Sequence, residues 1–379
     1  MKKLGKRWLV MALAAILPLA VQARMKVGVI LGETGPGASL GIPFKNSVLL
    51  MPKTLGGVPV DYIVQDDQTD PTLTVKLARK LIEQDKVDLI IGSGSAPTAM
   101  AVAEVVQELK TPQISLSPIP ITAQKYPWSF SVPMPPSIGM GSVAASMKQH
   151  GVKRVGYLGY SDSWGDLVLS GFRHNIKDTD IAVVANERYA RTDNSVTGQV
   201  LRLIAAKPDA ILLGGSGTAG ALPYAPLRER GYKGLIYNNS GIINNDFLRV
   251  GGKSLNGTYA VAGPVVVAEQ LPDSNPIKKV ALNFKAVYEK AYGKGTLNAF
   301  SAIAWDAYLL ADHAVAQAAK KSKPGSADFR AALRDALEAS KEVVGTQGVF
   351  NMSKTDHNGM DSRSGVMVQI ENGKWKLVQ

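Results

Sequence analysis

Strand-length apolar runs alternate with amphipathic helical patterns along most of the chain, and this alternation constrains the fold more than any single motif. Strands are expected at Lys26–Leu31, Val58–Gln65, Val87–Ile91 and Gln113–Ser117, then at Arg154–Gly159, Ile181–Ala185, Ala210–Leu213 and Leu235–Tyr237. Helical patterns lie between them, such as Thr72–Gln84, with Leu73, Leu77, Leu81 and Ile82 on one side, and Thr98–Leu109. Such alternation argues for an α/β fold of parallel sheets with helices on both faces.

An internal echo points to two lobes. Asp88-Leu89-Ile90-Ile91-Gly92-Ser93-Gly94-Ser95 is mirrored by Asp209-Ala210-Ile211-Leu212-Leu213-Gly214-Gly215-Ser216-Gly217: an acid, a buried strand, and a small-residue turn feeding a helix. Both turns would stand at the carboxyl ends of their sheets, where open α/β folds bind ligands. Later the pattern changes to long helices at Ile277–Tyr292, Ala299–Ala319 and Ala327–Ser340. A hairpin follows at Gly365–Ile370 and Lys374–Val378, around Asn372-Gly373.

Residues 1–23 have a basic start (Lys2, Lys3, Lys6, Arg7), an apolar run from Trp8 to Val21 broken by Pro18, and a small-residue end at Val21-Gln22-Ala23. This order is that of a secretory signal peptide, with cleavage expected after Ala23 and a mature chain from Arg24. The sequence has no cysteine, hence no disulfide, no thiolate nucleophile and no lipid-bearing residue at the cleavage site. A free periplasmic protein is expected. Loss of the signal's four positive charges takes the net charge from +12 to +8, spread without a basic tract, so nucleic acid is not an expected partner. The 356 residues that remain of 379 are long enough for about two domains.

Catalytic and cofactor motifs fail on inspection. The stretch Val29-Ile30-Leu31-Gly32-Glu33-Thr34-Gly35-Pro36-Gly37-Ala38-Ser39-Leu40-Gly41 spaces its glycines as GxGxxxG, and Asp66 lies 29 residues beyond Gly37, too far for a dinucleotide fingerprint. These glycines instead allow a ligand to approach the backbone. Asp66, Asp67 and Asp70 do not make a metal site, because Asp70-Pro71 reads as a helix start. His150, His174, His313 and His357 form no HExxH arrangement, and Gly214-Gly215-Ser216-Gly217-Thr218 falls short of GxSxG. No catalytic residue, cofactor or metal is therefore expected. The turns Gly92–Ala96 and Gly214–Thr218 each lead into a helix amino terminus, which suits a carboxylate or simple capping.

In order and spacing, several segments together resemble the type I periplasmic solute-binding proteins of ABC importers, in the leucine/isoleucine/valine-binding family. They are Thr34-Gly35-Pro36-Gly37 with Leu40-Gly41, Asp66-Asp67 before Asp70-Pro71, Ile91-Gly92, Ser115-Leu116-Ser117-Pro118, Tyr160-Ser161-Asp162-Ser163-Trp164-Gly165 and Gly214-Gly215. The resemblance covers essentially the whole mature chain. It implies two Rossmann-like lobes joined by a three-crossing hinge, closing on a small-molecule ligand and delivering it to a permease and ATPase complex in the inner membrane. Lobe 1 would comprise residues 24–135 and 263–340, lobe 2 residues 136–262 and 341–379. A monomer that is not an enzyme is implied.

Departures from the amino-acid binders shape the expected ligand. The serine that holds the α-carboxylate in those proteins is replaced by Ala96, beside Ser95, and the segment after Ser117-Pro118 reads Ile119-Pro120-Ile121-Thr122. The acids that hold the ammonium align with Pro136 and Ser240, while Asp162 and Asp166 lie near enough to Trp164 to replace them. A buried ammonium without a carboxylate is costly. The expected ligand is thus an aromatic or branched carboxylate without an α-ammonium, contacted by Leu40, Ser95, Ala96, Ile119, Ile121, Trp164, Ser216 and Ser240. A branched-chain amino acid, a small amide, or a sensor feeding a signalling partner are the alternatives.

Overall fold

The computed structural model describes residues 24–120 and 122–378. The first sheet contains β1 (Met25–Leu31), β2 (Thr54–Leu55), β3 (Val58–Asp66), β4 (Leu89–Gly92), β5 (Gln113–Ser115) and β6 (Ser129–Ser131), in the order β2-β3-β1-β4-β5-β6. The second is built from β7 (Arg154–Tyr160), β8 (Ala182–Tyr189), β9 (Ala210–Gly214), β10 (Leu235–Asn238) and β11 (Tyr259–Ala262). A short ladder of β12 (Val343–Val344) and β13 (Val349–Phe350) precedes β14 (Val366–Glu371) and β15 (Lys374–Leu377), which complete the second sheet in the order β15-β14-β11-β10-β9-β7-β8. All pairings are parallel except β2 with β3, β12 with β13, β11 with β14 and β14 with β15.

Helices α1 (Ala38–Leu50), α2 (Pro71–Glu83), α3 (Ala96–Leu109), α4 (Pro136–Gln149), α5 (Ser163–Ile176), α6 (Thr197–Ala205), α7 (Tyr224–Glu229) and α8 (Asn245–Gly251) link the strands. Three more, α9 (Pro276–Tyr292), α10 (Ala299–Ala318) and α11 (Ala327–Glu338), follow β11, and α10 packs along α1. The chain thus passes between the sheets three times: after β6, after β11 and before β14. None of the described helices is long and apolar enough to cross a membrane.

The sequence explains this layout locally. Every residue of β4 and β9 is buried, as strands covered by helices on both faces require. The acids of the internal echo serve one purpose in both sheets: the Lys26 backbone N–H donates to Asp88 Oδ2 at 3.4 Å, and those of Lys153 and Arg154 donate to Asp209 Oδ2 at 3.0 and 2.9 Å. Each carboxylate ties the entry of a central strand to its neighbour. Those two N–H donors hold the Asp209 carboxyl below the usual range. As its Asp-Pro pair predicts, α2 starts with Asp70 accepting from the backbone N–H groups of Thr72 and Leu73.

Two local expectations are corrected. Strand β8 runs to Tyr189 rather than Ala185. Strand β5 ends at Ser115, because the Ser115 hydroxyl bonds both the N–H and the C=O of Ser117 and turns the chain. The glycine-rich opening is helical from Ala38 onward, so Leu40 and Gly41 sit in the first turn of α1. Residues 1–23, read as a signal peptide, lie outside the described residues.

Candidate functional site

The loops that follow the parallel strands converge on one cavity between the sheets. From the first sheet come Leu40 after β1, Gly94 to Ala96 after β4 and Leu116 to Pro118 after β5. The second sheet supplies Trp164 after β7, Arg191 after β8, Ser216 after β9 and Ser240 with Gly241 after β10. Crossing segments and α10 close the rest with Met134, Gly263, Phe300, Ile303 and Gln347. Carboxyl-end loops of parallel strands are where such folds place ligands. The unfilled space in and around the cavity, open solvent at its mouth included, is about 540 Å³.

The lobes are shut against each other. The Thr218 backbone N–H, in the turn after β9, donates to Ser39 Oγ on α1 at 3.0 Å. Beside it Gly217 has φ +60°, and a Cβ there would fall 2.5 Å from Leu40 Cδ1 and 2.7 Å from Ser39 Oγ. Glycine is required at 217 by its backbone conformation and by this close approach across the cleft.

Among the described residues, the second lobe offers the cavity one cation. Arg191 Nε donates to Asp162 Oδ2 at 2.6 Å, Nη1 donates to Ser216 Oγ at 3.0 Å, and the guanidinium lies 4.3 Å from the Tyr160 ring centre. A guanidinium has five N–H donors, so donors remain for an anion. Its side chain is 13% exposed. Trp164 forms the adjoining wall, its indole N–H donating to Gly215 O at 3.2 Å, with Gly241 close against the ring. Such an anchored ring is an unmoving apolar surface.

Among the described residues no Asp or Glu lines the cavity. Asp162 caps α5 through the N–H groups of Trp164 and Gly165 and pairs with Arg191, while the exposed Asp166 pairs with Arg188 at 3.0 Å. Neither lines the cavity. The acids near the glycine-rich opening are also committed. Asp66 accepts from the backbone N–H groups of Glu33, Thr34 and Gln68. The buried Asp67 accepts from the hydroxyls of Ser93 and Thr74.

Six of the eight residues read from sequence line the cavity: Leu40, Ser95, Ala96, Trp164, Ser216 and Ser240. Ile119 does not; it packs with Ala99, Ala103 and Tyr126 beneath α3, because the chain turns away after Pro118. Ile121 lies outside the described residues. Pro136 starts α4 and faces a neighbouring crevice, so Met134, two residues earlier, is what reaches the cavity.

Sequence reasoning missed Arg191, Phe300 and Gln347. Ending β8 four residues early hid Arg191, which stands just past the true strand end. Phe300 follows Asn298, whose side chain caps α10 in a capping box, a signal the Asn-Ala-Phe-Ser run does carry. Phe300 packs edge-on against Phe44 with ring centres 5.5 Å apart. Gln347 lies in the four-residue turn that joins β12 to β13, a hairpin the sequence reading did not single out.

A family model described as periplasmic binding protein matches residues 24–374. An extracellular ligand-binding receptor from Rhodopseudomonas palustris HaA2 is 42% identical, with a TM-score of 0.91 over 94% of this chain and 100% of its own. A solute-binding protein of an R. palustris ABC transporter, solved in complex with benzoate, is 22% identical, with a TM-score of 0.77 over 94% of this chain and 95% of its own. The branched-chain amino acid transporter substrate binding protein LivJ from Streptococcus pneumoniae, in complex with isoleucine, is 18% identical, with a TM-score of 0.77 over 93% and 98%. The last two are likenesses of fold.

Proposed function

The chain belongs to the periplasmic binding protein family, as a solute-binding protein of the ABC transporter class, and from that premise we propose that it captures a small organic carboxylate lacking an α-ammonium. The observation that carries this reading is the charge of the cavity, which among the described residues has one guanidinium, Arg191, and no carboxylate. An α-amino acid brings both charges, and its ammonium would be buried without a counter-ion, at a cost of several kcal/mol. A simple carboxylate brings one charge, which Arg191 and the Ser216 hydroxyl match. Trp164, Phe300, Leu40 and Ile303 favour an aromatic or branched apolar body.

In this reading the exported mature chain begins at Arg24 after removal of residues 1–23 and acts as a monomer. Lobe closure through Ser39 and Thr218 seals the ligand, and the shut form is what a membrane permease and its ATPase receive. One relative of this fold has been solved with benzoate, a carboxylate without an α-ammonium, and another with isoleucine, which carries one. The test is a thermal-shift screen of protein unfolded and refolded to strip carried ligand, against branched amino acids, aliphatic carboxylates and aromatic carboxylates. A ligand at about 100 times its Kd adds about 2.7 kcal/mol of stability. Stabilisation by carboxylates and not by leucine or valine supports the proposal; the reverse pattern refutes it.

A further inference from the structure

Beyond the charge balance, the hinge side of the cavity carries a fixed hydrogen-bond acceptor. Gln347 lies in the turn between β12 and β13 and is 5% exposed. Its Nε2 donates to Ala299 O at 3.2 Å. That bond settles the amide orientation, because the flipped form would set two oxygens against each other. Gln347 Oε1 then accepts from no described residue, and it is not among the buried polar atoms sealed without a partner. It lies over Gly263, another cavity residue, where a Cβ would come within 2.1 Å of it.

The backbone beneath the amide is held from α10. Asp306, fully buried, accepts from Thr346 N–H at 2.5 Å, Thr346 Oγ1 at 2.8 Å and Gln347 N–H at 3.1 Å. Three donors on one carboxylate leave the turn little freedom. The amide is therefore an acceptor of set position in a cavity whose cation lies on the second lobe.

We propose that Gln347 is a specificity-determining residue, its Oε1 accepting a hydrogen bond from a hydroxyl or N–H group on the bound carboxylate, with Asp306 as the residue that positions it. The substrate class narrows to carboxylates bearing a hydrogen-bond donor on an apolar body. This rests on the carboxylate reading above.

The test is calorimetric titration of the full mature protein with benzoate and its 2-, 3- and 4-hydroxy derivatives, and with 4-methylpentanoate and its 2-hydroxy derivative. At least one hydroxylated acid should bind about tenfold tighter than its parent, the effect of one net hydrogen bond. Gln347→Met should abolish that preference, bringing the hydroxylated and parent acids to within about threefold of each other in Kd. Gln347→Glu keeps an acceptor, so it should retain the preference while weakening every acid by repulsion, and it serves if Gln347→Met does not fold. Asp306→Asn should reduce the preference with less effect on the parent acid. Equal binding of parent and hydroxylated acids by the wild type, or a preference unchanged in Gln347→Met, overturns the proposal while the carboxylate reading stands. Binding of none of these acids overturns both.

Discussion

Replacing Arg191 with methionine tests the anion-binding half of the site. Methionine keeps the length and apolar stem but removes the group that pairs with Asp162, donates to Ser216 and lies over Tyr160. Asp162 still caps α5, but the pair is largely buried, with Arg191 13% and Asp162 23% exposed, so its loss should cost about 1–3 kcal/mol, between the surface and buried ranges, and circular dichroism checks that the variant folds. Binding should weaken as well. A hydrogen bond to a charged group contributes about 1.5–3 kcal/mol, which becomes a loss of about tenfold to a little over a hundredfold in Kd. Titration calorimetry with benzoate and 4-methylpentanoate reads this directly, and their neutral amides serve as controls. Wild type should prefer acid to amide, and Arg191→Met should erase the preference. If the variant binds the acids within about threefold of wild type, Arg191 is not the anion partner and the charge argument fails.

Trp164→Ala removes the ring wall beside Gly241 and should weaken an aromatic carboxylate at least about tenfold, more than an aliphatic one, by calorimetry. Ser39→Ala deletes the side chain that holds the turn of the other lobe at Thr218, so the closed form should lose about 1 kcal/mol. Small-angle scattering should show a more open ligand-free ensemble, with Kd raised about fivefold; an unchanged ensemble would refute the latch. Burial pushes the Asp306 carboxyl up to about 7, against its three hydrogen-bond donors. A pKa raised in the folded state means that Asp306 contributes stability fully below pH ~4 and loses it as pH rises through about 7. The stability advantage of wild type over Asp306→Asn, from urea unfolding, should therefore shrink by up to about 4 kcal/mol between pH 4 and pH 7.5. A growing advantage would mean that the donors outweigh burial.

Much of the fold is legible in sequence because covered parallel strands write themselves as unbroken apolar runs: Leu89–Gly92 and Ala210–Gly214 need little more than their burial pattern. The hairpin at Asn372-Gly373 is marked by its turn, and both residues take positive φ as that turn demands. Legibility fades where a segment is amphipathic only at its edges. Strand β8 reads as exposed or half-buried until Tyr189, so its far end carries no run of apolar residues to mark it. The site divides along the same line. Residues in turns after strongly marked strands, such as Ser95, Ser216 and Ser240, were accessible by counting from the strand end. Gln347 depends on Asp306, 41 residues away in sequence, and a contact of that range leaves no periodic trace. Ile119 packs instead with Ala99, Ala103 and Tyr126, a tertiary contact that hydropathy along the chain does not reveal.

The most direct test of the central claim pairs ligands that differ in the α-ammonium alone: 4-methylpentanoate with leucine, and 3-phenylpropanoate with phenylalanine, titrated into refolded wild-type protein at pH 7. A cavity whose described residues supply one guanidinium and no carboxylate should bind at least one deaminated acid and reject its amino-acid partner by at least about a hundredfold, the consequence of an unpaired buried ammonium. Tighter binding of leucine or phenylalanine than of the matching acid would contradict it.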